Sequence, residues 1–258
     1  WVGALPDAVV RARPLLAVSR AWVHLTTGEL GEVDAWLTAA EQPSGARADR
    51  LLSPPADIVE ARDSEIRLVP GTVAIYRASL AQASGDVAGM VEHATRARDL
   101  AGPRDHLLLA SAAGFLGLAD WVEGDLARAT AGFEETRTHL EAVGDLADAL
   151  GTSVPVAAMT IGLGRPDLAQ RLLEQDLATA QAHDGPPLAS HADLHVALAD
   201  VLRERGEVEA ARHHLETARD LGEAASLPEN RFRWYAVSAD LLAATGDLEG
   251  ALARFDRA

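Results

Sequence analysis

The sequence predicts an all-α fold, an α-solenoid of about six helical hairpins with a step of ~40 residues. Three observations carry this. Turn glycines recur as Gly28-Glu29, Gly85-Asp86, Gly124-Asp125, Gly164-Arg165, Gly206-Glu207 and Gly246-Asp247, at separations of 57, 39, 40, 42 and 40 residues. The residue seven before each glycine is small: Ala21, Ala78, Gly117, Ala157, Ala199 and Ala239. The residue five after it is Val33, Met90, Ala129, Ala169, Ala211 or Ala251. A glycine in the left-handed conformation ends one helix, and an acidic residue after it suits the positive end of the next. The small residue then lets the two helices approach closely.

The elements follow in order. Pro6 and Asp7 open a short helix, and Pro14 opens a longer one to Thr27, with Leu15, Val18, Trp22 and Leu25 at helical spacing. Its partner runs from about Leu30 to Glu41, with Val33, Trp36, Leu37 and Ala40 inward. The stretch of about 43–56 holds Pro43, Ser44, Gly45, Pro54 and Pro55 and reads as an irregular insertion, which explains the long first interval. A short extra helix is expected over 56–66, and Pro70 is expected to start the next long one. Helices then follow near 70–84, 87–101, 104–123, 126–143, 145–163, 166–183, 187–205, 208–225, 228–245 and 248–258. Pro155 falls inside one of these and predicts a kink, because its ring crowds the carbonyl of Gly151. We expect one continuous superhelix over 1–258. The chain opens on Trp1, and Ala258 falls inside the last helix, so we read it as a segment of a longer protein.

Composition removes several function classes. The formal charge is −16, which repels phosphates and argues against direct binding to nucleic acid or to an anionic membrane. There is no cysteine, hence no thiolate nucleophile and no disulfide; a cytoplasmic location is expected. All 23 basic residues are arginine, so neither a Walker A lysine nor a Schiff-base lysine exists. No apolar run is long enough to span a membrane.

The search for catalytic chemistry returns little. His191 and His195 share a helix face, as zinc ligands would, but Ala192 stands where a metalloprotease has its glutamate. His195 falls at a packing position of the repeat, and packing is the reading we adopt; no metal is expected. His213 and His214 are assigned to the surface and to a groove edge. No Gly-x-Ser-x-Gly elbow occurs, and acidic pairs such as Glu134 with Glu135 sit on charged faces. The expectation is a non-catalytic protein.

A solenoid of stacked hairpins binds along its concave face, which the first helix of each pair lines. Positions thirteen, ten, six and three before each glycine point there. They give Trp22 and Leu25; Ser79 and Gln82; Ser111, Leu118 and Trp121; Asp193, Asp200 and Arg203; and Arg233 and Asp240. Trp22 and Trp121 also fit the seams between hairpins, and both readings stay open.

The repeats resemble tetratricopeptide (TPR) repeats, with a longer step. The opening is more specific. Leu5-Pro6-Asp7, Val10 to Leu16, Ala21-Trp22, Gly28-Glu29-Leu30, Ala35-Trp36-Leu37 and Ala39-Ala40-Glu41 resemble the start of the helical-repeat domain in large, ATP-binding, MalT-like LuxR-type regulators. The resemblance implies a domain that receives a small-molecule inducer or a regulatory protein and governs self-association. It implies ATP only for an N-terminal module outside this chain, and no cofactor here. The alternative expectation is a generic TPR scaffold that binds a peptide or partner protein in its groove.

Overall fold

All six turn glycines adopt positive φ, from 73° at Gly164 to 91° at Gly246. That backbone conformation is the one a hairpin turn between antiparallel helices requires, and only glycine adopts it without strain. The computed structural model describes residues 4–42, 56–227 and 230–258, with backbone alone over 56–65. The expected insertion of 43–56 therefore lies almost wholly outside the described residues. Those described are overwhelmingly helical, and none of them forms a strand.

The chain divides into two compact units, Trp1–Gly124 and Asp125–Ala258. The first holds α1 (Asp7–Arg11), α2 (Pro14–Thr27), α3 (Leu30–Glu41), α4 (Ala56–Ala83), α5 (Val87–Leu100) and α6 (His106–Val122). The second holds α7 (Leu126–Ala142), α8 (Leu146–Gly151), α9 (Ser153–Gly162), α10 (Pro166–Gln181) and α11 (His191–Glu204). It continues with α12 (Val208–Leu221), α13 (Arg231–Ala244) and α14 (Leu248–Phe255).

The small and apolar positions flanking each glycine are all buried. Ala21, Ala78, Ala199 and Ala239 have no exposed surface, and neither do Val33, Ala129, Ala169 and Ala211. Gly117 is buried as well. Aspartates after the turns cap the following helices. Asp86, Asp125 and Asp247 accept N–H bonds from Gly89, Arg128 and Gly250 at 2.9, 3.1 and 2.9 Å. A further turn of this kind, Gly144 with Asp145, joins α7 to α8.

In the first unit Val10, Ala17, Val33 and Leu37 are fully buried and pack with Trp36, Val69 and Val73. The guanidinium groups of Arg11 and Arg20 lie 4.1 and 5.1 Å from the Trp36 ring centre. The second unit is built on Leu150, Leu173, Leu194 and Val201, all fully buried.

One proline expectation needs correction, and a second is met as a break in the helix. Pro70 does not start a helix. It lies inside α4, so the short helix expected over 56–66 and the long one after it are continuous. The cost is one missing backbone bond and a crowded Ile66 carbonyl, which a helix of 28 residues can carry. The helix expected over 145–163 is instead two, α8 and α9, meeting at Thr152, three residues before Pro155. Pro155 has no N–H to offer the Gly151 carbonyl, so the interruption falls in the preceding turn. Gly151 has a second role there: a Cβ on it would stand 2.7 Å from Cδ1 of Leu227.

Ion pairs repeat with the solenoid step. Arg67 grips Asp105, 38 residues on, with two N–H donors at 2.9 and 2.8 Å. Those bonds, with one from the Gly102 N–H, hold the Asp105 carboxyl at about 2. Arg137 grips Asp176, 39 residues on. Arg205 reaches Asp167 over 38 residues. Each pair ties one repeat to the next.

Candidate functional site

In the first unit the expected surface lies on α2, α4 and α6. Trp22 is 52% exposed and stacks on Tyr76 of α4, with ring centres 5.6 Å apart. Leu25 packs against the core beside α3. Ser79 is half-buried and Gln82 exposed. Ser111 gives its hydroxyl proton to the Leu107 carbonyl of its own helix at 2.9 Å. Leu118 packs against the cluster of Ala78, Ala81 and Met90, while Trp121 is half-buried near the end of α6.

The second unit brings several of its expected residues together. Arg203 donates to Asp200 at 3.2 and 2.7 Å, and to Glu204 at 2.7 Å. Burial works against the Arg203 charge, but these bonds outweigh it and raise its pKa. Arg233 is half-buried, and its Nε has no hydrogen-bond partner. Burial lowers its pKa, while Asp200 and Asp193 pull the other way. Asp193 itself is 3% exposed and accepts from Ser226 Oγ, Leu227 N and Asn230 Nδ2 at 2.5, 2.9 and 3.1 Å. It pins the segment that leads into α13. Asp240 is half-buried on α13.

The histidines form a stack that spacing alone did not reveal. His195 is 5% exposed, in keeping with a packing role; it stacks on His191 at 5.5 Å and meets His214 at a tilt, with ring centres 5.0 Å apart. Its Nδ1 lies 2.8 Å from Nδ1 of His214, so one ring donates and the other accepts. His214 is thus packed against its neighbour helix, not set at a groove edge, while His213 is exposed. Burial, and then the charges that His214, His191 and His213 would carry, push His195 down to about 4. Among the described residues no group of three or more His, Cys, Asp or Glu side chains is placed to hold a metal ion.

Ser153 Oγ donates to Asp176, which also accepts from Arg137 and, among the described residues, from no histidine. The trio anchors α7, α9 and α10 to one another. Among the described residues, no helix is long and apolar enough to cross a membrane.

One cavity was missed by sequence reasoning. It measures about 340 Å³ and opens among the first turns of α11 and α13 and the last turns of α12 and α14. Arg219, Arg231, Arg254, Arg257, Trp234 and Tyr235 are among its walls. These residues come from helix ends far apart in sequence, so no local spacing marks them.

The MalT-like TPR region family matches residues 71–258. No curated protein matches the chain in sequence. Several solved structures share the fold. The Rap conjugation gene regulator of plasmid pLS20, solved with the Phr* peptide, is 14% identical at a TM-score of 0.60, covering 95% of this chain and 73% of that one. The apo form of RapI is 9% identical at a TM-score of 0.60, covering 94% and 95%. PilF of Pseudomonas aeruginosa is 13% identical at a TM-score of 0.56, covering 93% and 88%. At these identities the likeness concerns the fold.

Proposed function

The chain belongs to the MalT-like TPR family, and we propose that it serves as the effector-sensing, protein-interaction domain of a LuxR-type transcriptional regulator. It does no chemistry itself. It receives a small-molecule inducer or a regulatory protein, and occupancy governs self-association of the longer protein. The observation that carries this reading is the family match over residues 71–258. The first-helix surfaces are the proposed binding faces: Trp22, Ser79, Gln82, Ser111, Leu118 and Trp121 in one unit, and Asp200, Arg203, Arg233 and Asp240 in the other. Ser79, Gln82 and the exposed half of Trp22 offer hydrogen bonds and an apolar ring to a ligand.

The test begins with the coding sequence on either side of the chain. The regulator reading requires a nucleotide-binding module upstream and a helix-turn-helix downstream. A reporter assay then compares Gln82→Ala, Trp121→Ala and Asp200→Ala regulators, and inducer response should fall while protein level holds. Flanks without those modules overturn the regulator role. They leave the second reading, a scaffold for a peptide or partner protein, which the peptide-bound Rap regulator of similar fold favours.

A further inference from the structure

The cavity between α11, α12, α13 and α14 has a chemistry that runs against the rest of the molecule. The chain carries a net charge of −16, yet among the described residues four arginines and two carboxylates, those of Asp193 and Glu223, line this one cavity. Asp193 is consumed by its bonds to Ser226, Leu227 and Asn230. Glu223 lies 3.8 Å from Arg231, and Arg219 pairs with its neighbour Asp220 at 3.0 Å. Among the described residues, neither Arg254 nor Arg257 has a carboxylate within ion-pair distance. Arg254 lies over the Trp234 ring instead, 4.8 Å from its centre.

The apolar wall is fixed in place. Trp234 donates its Nε1–H to the Leu215 carbonyl at 2.8 Å and meets Tyr235 edge-on at 5.2 Å. Val196 and Ala218 complete it. The cavity, at about 340 Å³, falls in the range of small-molecule sites. A ring held against the Trp234 wall would set an anionic group toward the guanidinium groups of Arg254 and Arg257, which no carboxylate among the described residues answers.

We propose that this cavity binds a small organic anion, a carboxylate or a phosphate monoester with a flat or apolar body, through Arg254 and Arg257. The proposal deepens the sensing reading and rests on it only for the biological role of the ligand; binding itself is read directly on the protein. It adds an anion site at helix ends remote from the Gly206 and Gly246 turns, separate from the first-helix faces named above.

Isothermal titration of the 258-residue chain with benzoate, indole-3-acetate and phenyl phosphate tests this, against benzamide, indole-3-acetamide and phenol as uncharged counterparts. At least one anion should bind at millimolar affinity or better, and more weakly as salt is raised. Arg254→Gln and Arg257→Gln should each weaken it by about tenfold, the loss of one charge-assisted contact. Arg212→Gln, on the same α12 but outside the cavity, should change nothing. The proposal is overturned if no anion binds, if anion and amide bind alike, or if Arg212→Gln matters as much as Arg257→Gln. If the anion binds but the flanking modules are absent, the site stands and the regulator role falls.

Discussion

Arg137 holds the carboxylate of Asp176 in a two-pronged grip, with N–H donors at 2.8 and 2.9 Å, across one full repeat. Asp176 is 1% exposed, and it takes a further bond from Ser153. Arg137→Ala would leave that carboxylate buried with only the serine. A charge stranded in this way costs roughly 3–5 kcal/mol. Urea denaturation should show a loss of that order. Arg137→Lys should recover only part of it, because an ammonium cannot make the parallel pair. An Arg137→Ala protein as stable as the parent would mean the grip is ornamental.

The turn glycines make a separate test of conformation without packing. A Cβ on Gly206 would meet nothing within 4 Å, so Gly206→Ala introduces no clash. Its φ of 77° nonetheless disfavours any side chain, at about 1–2 kcal/mol. The melting temperature should fall accordingly, with the helical circular dichroism unchanged. Gly206→Asn should fall less, since asparagine tolerates this region better.

Much of this was legible in the sequence, and the reasons are local. A left-handed glycine, the small residue before it and the apolar residue after it all lie within one hairpin, so spacing exposes them. Ala157 and Ala169 could be placed inward from the position of Gly164 alone. Arg137 with Asp176, and the cavity with Arg254 and Arg257, depend on how one hairpin stacks on the next. That geometry is set by contacts 39 residues apart or more widely scattered, and no window of sequence contains them. Pro70 misled for a related reason. Pro70 and Pro155 advertise a local cost, but whether a helix stops, breaks or runs on depends on the packing around it. Gly151 beside Leu227 is an instance.

Acid should weaken the fold in two steps. His195 titrates near 6.5 when unfolded but only at about 4 in the fold. The unfolded chain therefore binds the proton first, so the stability His195 contributes is present above about 6.5 and is lost as pH falls toward 4. The loss is roughly 3 kcal/mol for an ideal isolated site. Asp105, held at about 2 against an ordinary 3.8, adds a second loss as pH falls further, from 3.8 toward about 2. Thermal melts from pH 7 to pH 4 should fall for the parent and flatten for His195→Leu. A parallel decline in both would assign the effect to other groups.

The two tryptophans of the first hairpin separate surface from core. Trp22 on α2 is 52% exposed and stacks on Tyr76. Trp36 on α3 is 3% exposed, with Arg11 and Arg20 over its ring. Trp36→Ala opens a core cavity and should cost about 3–5 kcal/mol. Trp22→Ala removes an exposed stacked pair, which accounts for about 0.5–1.5 kcal/mol. The same contrast bears on function. A ring held half in solvent keeps apolar surface available to a ligand, whereas Trp36 has none to give. If the first-helix surface of this unit receives the effector, Trp22→Ala should weaken binding well beyond its small effect on stability. Trp36→Ala should weaken binding only in proportion to the folded fraction. Equal losses of affinity per unit of lost stability would move the binding site away from α2.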